Sequence, residues 1–102
     1  MKKQIALSNH EVEIVRNILQ RHLPVKATVW LFGSRVTGFA KKFSDIDLLI
    51  DIGSPISLNL IAKLNNDFEE SSLPYKVDIV DAGTISDDFR KLIDSQKILF
   101  WP

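Results

Sequence analysis

The sequence predicts an α/β (α+β) fold: a small mixed β-sheet with helices packed against it, in one domain spanning residues 1–102. Three observations carry this reading. The runs "TVWLF" (Thr28–Phe32), "DIDLLIDI" (Asp45–Ile52) and "YKVDIVD" (Tyr75–Asp81) are short, rich in β-branched and aromatic residues, and each is followed within two residues by glycine. The segments around them repeat their apolar residues at helical spacing instead. The 102 residues, 45% hydrophobic and 25% charged, suit one compact domain with a small core and leave no room for a second.

Ser8 and Glu11 form a capping box, after which Val12, Val15, Ile18, Leu19 and Leu23 recur on one side until Pro24. A first helix over about residues 9–22 follows. Thr28–Phe32 is the first strand, ended by Gly33, and "SRVTGFAKKFS" is a loop or short helix before the strand "DIDLLIDI". Gly53-Ser54-Pro55 turns the chain, and Ser57 caps a second helix with Leu58, Ile61, Ala62, Leu64 and Phe68 inward. Leu73-Pro74 interrupts before the third strand, "YKVDIVD". Ser86, Asp87 and Asp88 open a further helix carrying Phe89, Leu92 and Ile93. The final "KILFWP" is either a short edge strand or an apolar tail. On the second reading Ile98–Trp101, with Trp101 as its anchor, marks a surface for a partner or a second copy of the chain. The order αβ(α)βαβα is that of a small sheet layered with helices.

Thirteen basic and thirteen acidic residues cancel, which leaves no footprint for dedicated duplex-DNA binding. Without cysteine there are neither disulfides nor thiolate metal sites. The start "MKKQIALSNHE" opens like a signal peptide, but Ser8, Asn9, His10 and Glu11 break the apolar stretch that should follow. No segment approaches the roughly 18 apolar residues of a membrane span, so a cytoplasmic location is expected. His10 and His22 have no metal-ligand spacing and read as surface helix residues, and Trp30 reads as core.

The chemistry concentrates in "LFGSRVTGFAKKFSDIDLLID". Carboxylates inside an apolar strand are expensive to desolvate unless something compensates them. Asp45 and Asp47 are two residues apart, so on a strand they share a face about 6.5 Å apart along the chain. A divalent cation removes their repulsion, and Mg²⁺ is commonly held by one or two carboxylates plus substrate phosphates. "VDIVD" offers a third carboxylate. Asp81, next to Ala82-Gly83, reads as a turn residue, whereas Asp78 lies mid-strand and is the better third ligand or base. Gly33 lets backbone approach a ligand, and Ser34 opens a helical turn whose amide and hydroxyl can donate to phosphate. Arg35, Lys41 and Lys42 are placed to neutralise more of a triphosphate. A lone Asp-x-Asp is more often a solvated face, and a lone Gly-Ser turn is uninformative. Their joint occurrence with Asp78, in this order, points to phosphoryl or nucleotidyl transfer.

At "GSRVTG", "SDIDLLI" and "VDIVD" the chain resembles the polymerase-β-like nucleotidyltransferase superfamily, and more narrowly its minimal nucleotidyltransferases. The resemblance runs from the first helix through "DDFRKLI". It implies a catalytic core in which Gly33, Ser34 and Arg35 contact an NTP, most simply ATP, while Asp45, Asp47 and Asp78 hold two Mg²⁺ ions and carry catalysis. Val36 and Thr37 depart from the family's usual small and basic residues, which bears on phosphate affinity. Larger members carry an added helical domain that binds the acceptor, and none is expected here. The resemblance further implies a HEPN-type helical partner, to which such proteins transfer AMP in toxin–antitoxin pairs. The alternative is a nucleotide-binding antitoxin subunit that neutralises its partner by contact, and a weaker one is a metal-dependent phosphohydrolase.

Overall fold

The computed structural model describes residues 5–38 and 44–102. Its elements are α1 (Asn9–His22), β1 (Thr28–Phe32), α2 (Ser34–Thr37), β2 (Ile46–Asp51), α3 (Leu58–Glu70), β3 (Val77–Asp81), α4 (Asp87–Asp94) and β4 (Ile98–Trp101). The longer helices begin where the sequence places their caps. Ser8 Oγ accepts from the Glu11 amide at 3.2 Å while Glu11 Oε1 accepts from the Ser8 amide at 2.9 Å. Ser57 and Ser86 likewise accept from Leu60 and Phe89, at 3.1 and 3.2 Å. Each such cap stabilises its helix by about 1 kcal/mol.

The four strands form one mixed sheet in the order β3-β2-β1-β4. β1 is antiparallel to both β2 and β4, whereas β2 and β3 run parallel and are joined across α3. Strand alternation divides the sheet into two unlike faces. Val29, Leu31, Ile46, Leu48, Ile50 and Val77 meet α1 and α3 through Val15, Ile18, Leu19, Leu64 and Phe68, and this is the main core. On the opposite face Phe32, Leu49 and Ala82 gather around Ile93 of α4, with Trp30 and Val80 packed alongside. One eight-residue helix is all that lies over that second face among the described residues, so part of it is left open.

Several expectations need correction. Leu58 and Ala62 do not face inward: Leu58 is 85% exposed and Ala62 is exposed too. At 100° per residue the buried positions Leu64 and Phe68 share their side with Leu60 and Ile61, and residues 58 and 62 fall on the far side. In α4 only Ile93 is fully buried, and Leu92 is largely exposed. His22 is more than a surface residue. Its Nε2 lies 2.6 Å from Asp67 Oδ2, which also accepts from Arg21 Nη1 at 2.9 Å, so α1 is tied to α3. The hydrogen bond from His22 holds the Asp67 carboxyl below its ordinary value.

The C-terminal segment is an edge strand. β4 pairs Ile98 with Leu31, Leu99 with Trp30 and Trp101 with Val29, with a bulge between the last two pairs. Phe100 is buried, and Ile98 and Trp101 pack against the main core, leaving Leu99 as the exposed one of the four. The bulge lets consecutive apolar residues turn inward, so Trp101 packs on the core as part of an edge strand and is not a free apolar tail. Trp30 is only half-buried, with the Lys97 ammonium 4.4 Å above its ring. Among the described residues no helix is long and apolar enough to cross a membrane.

Candidate active site

The open face of the sheet carries the aspartates. Asp47 is the hub: it stands opposite Phe32 on antiparallel β1 and in register with Asp78 on parallel β3. Register partners on adjacent strands share a face at about 4.8 Å. Asp45, two residues earlier, lies on the same side just before β2 and is exposed. No described residue donates a hydrogen bond to Asp45 or Asp47. Partial burial pushes the Asp47 carboxyl up to about 6, and the negative charges of Asp78 and then Asp45 add to the rise. Asp78 is half-exposed and has the Lys76 ammonium 3.5 Å from Oδ1.

The other strand aspartates behave differently. Asp51 Oδ1 accepts from the Gly53 amide at 2.8 Å. Asp81 accepts from Gly83 and Ile56 amides, both at 2.8 Å. These are turn-forming carboxylates, each accepting a backbone amide from a glycine two residues on. Asp81 is thus the turn residue that the sequence suggested.

Gly33 has φ 80° and ψ −156°, a backbone that side-chain-bearing residues rarely adopt. A Cβ there would overlap Asp47 Oδ2 and lie 3.2 Å from its Cγ. The turn thus favours glycine, and a side chain there would also force the Asp47 carboxylate to move. The Gly33 carbonyl accepts from the Val36 and Thr37 amides at 3.0 and 3.1 Å, starting α2. The Ser34 hydroxyl is half-buried and bonds to no described residue. The Gly33 amide donates to Gln96 Oε1 at 2.7 Å, a contact across 63 positions that no local sequence pattern announces.

Arg35 is not where a phosphate ligand would be. It is 5% exposed, its Nε and Nη2 donate to the Ser44 carbonyl at 3.2 and 2.7 Å, and Nη1 donates to the Ala6 carbonyl at 3.2 Å. The guanidinium also lies 3.9 Å from the centroid of the Tyr75 ring. A cation so engaged fastens the N-terminal segment and the approach to β2 onto α2, and has nothing to offer a ligand in solvent. Lys41 and Lys42 lie outside the described residues.

Among the described residues no three His, Asp or Glu side chains form a ready-made cage for one metal ion. Mg²⁺ does not need one. It accepts one or two carboxylates and completes its octahedron with water and phosphate oxygens. The all-oxygen donors of Asp45 and Asp47, which accept from no described residue, fit that requirement with Asp78 alongside; burial first, and then the charges of Asp78 and Asp45, raise the Asp47 value. A groove of about 340 Å³ adjoins Asp78, bordered by Asn65, Glu69, Tyr75 and Lys76. A larger cleft of about 410 Å³ lies between α1 and α3 and includes none of the three aspartates.

The chain is similar to several known proteins. The family model described as Polymerase beta, Nucleotidyltransferase matches residues 13–101. A Haemophilus influenzae protein named "Probable protein adenylyltransferase MntA" is 46% identical over 90 residues, covering 88% of this chain and 78% of that relative. A chain of a toxin–antitoxin crystallised with AMP-PNP superposes with a TM-score of 0.75 at 24% identity, over 88% of this chain and 72% of its own. A chain from the complex of MNT antitoxin with tri-AMPylated Shewanella oneidensis HEPN toxin gives 0.66 at 22% identity, over 88% and 68%. At these identities the two solved structures speak for the fold.

Proposed function

The chain belongs to the polymerase beta nucleotidyltransferase family, and from that premise we propose that it is a Mg²⁺-dependent adenylyltransferase acting on a HEPN-type helical protein. The observation that carries the reading is the Asp47 carboxylate, held unpartnered between Asp45 and Asp78 and directly behind Gly33. The 46% identity to a protein named as a protein adenylyltransferase supports AMP as the transferred group. The superposition on a toxin–antitoxin chain whose toxin is AMPylated supports the partner class.

In this reading Asp45, Asp47 and Asp78 would hold one or two Mg²⁺ ions, which would supply charge neutralisation for the transfer. The Gly33–Ser34 turn binds the phosphates through the Ser34 amide and hydroxyl. An acceptor hydroxyl oxygen attacks the α-phosphorus, the bond to pyrophosphate breaks, and the hydroxyl proton passes to Asp78 at the edge of the open face. Arg35 has no part in the reaction beyond keeping α2 in place.

Incubating the chain with α-labelled ATP, Mg²⁺ and a HEPN-type helical protein from the same genome tests this directly. The expected result is label on the partner, lost in Asp47→Asn. Binding of the partner without label, under conditions where ATP binds, would overturn transfer and leave neutralisation by contact.

A further inference from the structure

We infer that Gln96 is a positioning residue for the nucleotide-binding turn, fixing the Gly33 peptide so that the Ser34 amide faces the phosphates; this rests on the reading of that turn proposed above. The antiparallel β1–β4 register pairs Trp30 with Leu99 and Leu31 with Ile98. Continued two residues, the same register sets Gly33 opposite Gln96. β4 does not extend that far, because residues 95–97 close the last turn of α4 through amide bonds to the Lys91 and Ile93 carbonyls. The Gln96 side-chain oxygen takes the place of the missing backbone carbonyl and accepts from the Gly33 amide at 2.7 Å.

The support behind this contact is hydrogen-bonded to a buried residue. The Gln96 and Lys97 amides both bond to the Ile93 carbonyl, at 3.0 and 2.9 Å, and Ile93 is fully buried. Lys97 is fastened in turn, to Asp94 at 2.7 Å and over the Trp30 ring at 4.4 Å. A glycine at positive φ is otherwise free to sample several backbone states, and a ligand would have to order it on binding. The bond to Gln96 holds the peptide before Gly33, and the Val36 and Thr37 amides on the Gly33 carbonyl hold the peptide after it. With both ends fixed that freedom is removed beforehand, which is how a preorganised anion site gains affinity. Because the oxygen must face the Gly33 donor, the Gln96 amide group is turned the other way, and no described residue accepts from it.

Two variants and two readouts test the inference. Gln96→Met keeps the shape and removes the acceptor; Gln96→Glu keeps an oxygen acceptor. In Gln96→Met the Gly33 amide is expected to exchange faster with solvent, and the Kd for ATP with Mg²⁺ to rise about five- to tenfold. In Gln96→Glu, Gly33 protection should be retained, which loosening of the fold in general would not reproduce. ATP affinity within twofold of wild type in Gln96→Met, or loss of Gly33 protection in Gln96→Glu, overturns the inference alone. A wild-type chain that binds no ATP overturns it together with the nucleotide reading of the turn.

Discussion

The Asp47 carboxylate fills the space a side chain at Gly33 would need: a Cβ there would overlap Oδ2 and lie 3.2 Å from Cγ. The Gly-Ser turn and the Asp-x-Asp strand are thus one packed unit, though fourteen residues separate them in the chain.

Gly33→Ala should therefore destabilise the fold by about 2 kcal/mol or more, from the positive φ and from the overlap together. Asp47→Ala should relieve the second part. Urea unfolding of both single variants and the double variant gives the coupling, and strictly additive effects would remove the contact from the account.

Asp47→Asn should lower nucleotidyl transfer by at least about 10²-fold, the scale for removing a group that acts on the transition state. Stability should move the other way. The Asp47 carboxyl rises from 3.8 to about 6 on folding, so the native state holds its proton more tightly than the unfolded chain. The stabilisation this brings is full below about 3.8 and is lost as pH rises through 6. In EDTA, wild type and Asp47→Asn should unfold alike at acidic pH. The variant should be more stable at pH 7.5, by on the order of 1 kcal/mol once solvent screening of a half-exposed group is allowed for. Equal unfolding curves at pH 7.5 would place Asp47 in a neutral setting.

ATP binding should depend on the divalent ion, since triphosphate and three aspartates repel without it. Calorimetry in Mg²⁺ against EDTA measures this, and the same affinity in both would argue against a carboxylate–metal site.

Arg35→Met should act on the fold more than on the ligand. It strands the Ser44 and Ala6 carbonyls and the Tyr75 ring, a loss of about 2–3 kcal/mol. At a temperature where the variant is folded, ATP affinity should stay near wild type. A selective loss of affinity with unchanged stability would return Arg35 to the phosphate site.

What was legible in the sequence was local. Ser8, Ser57 and Ser86 cap their helices because the partner amide lies three residues away. Asp51 and Asp81 sit beside glycine turns, so their role is written next to them. Asp45, Asp47 and Asp78 stood out because nothing nearby explained them. Arg35 misled, since a cation beside a Gly-Ser turn looks the same whether it points to solvent or to the Ala6 and Ser44 carbonyls. Gln96 gave no signal at all, because its meaning lies in a register set by β1 and β4. Whether "ILFW" formed an edge or a tail turned on a bulge, which composition does not encode.

The two-faced character of β2 also bears on how the chain finds its native state. Ile46, Leu48 and Ile50 alternate with Asp45, Asp47 and Leu49. A slip of one residue against β1 or β3 would swing Asp45 and Asp47 into the space beneath α1 and α3 and turn three large apolar side chains out to water. The aspartates thereby act as proofreaders of strand alignment, making misaligned forms too costly to populate. Replacing both by valine would strengthen β2 as a strand while removing that penalty, and the chain would then have several sheets to choose from where it now has one.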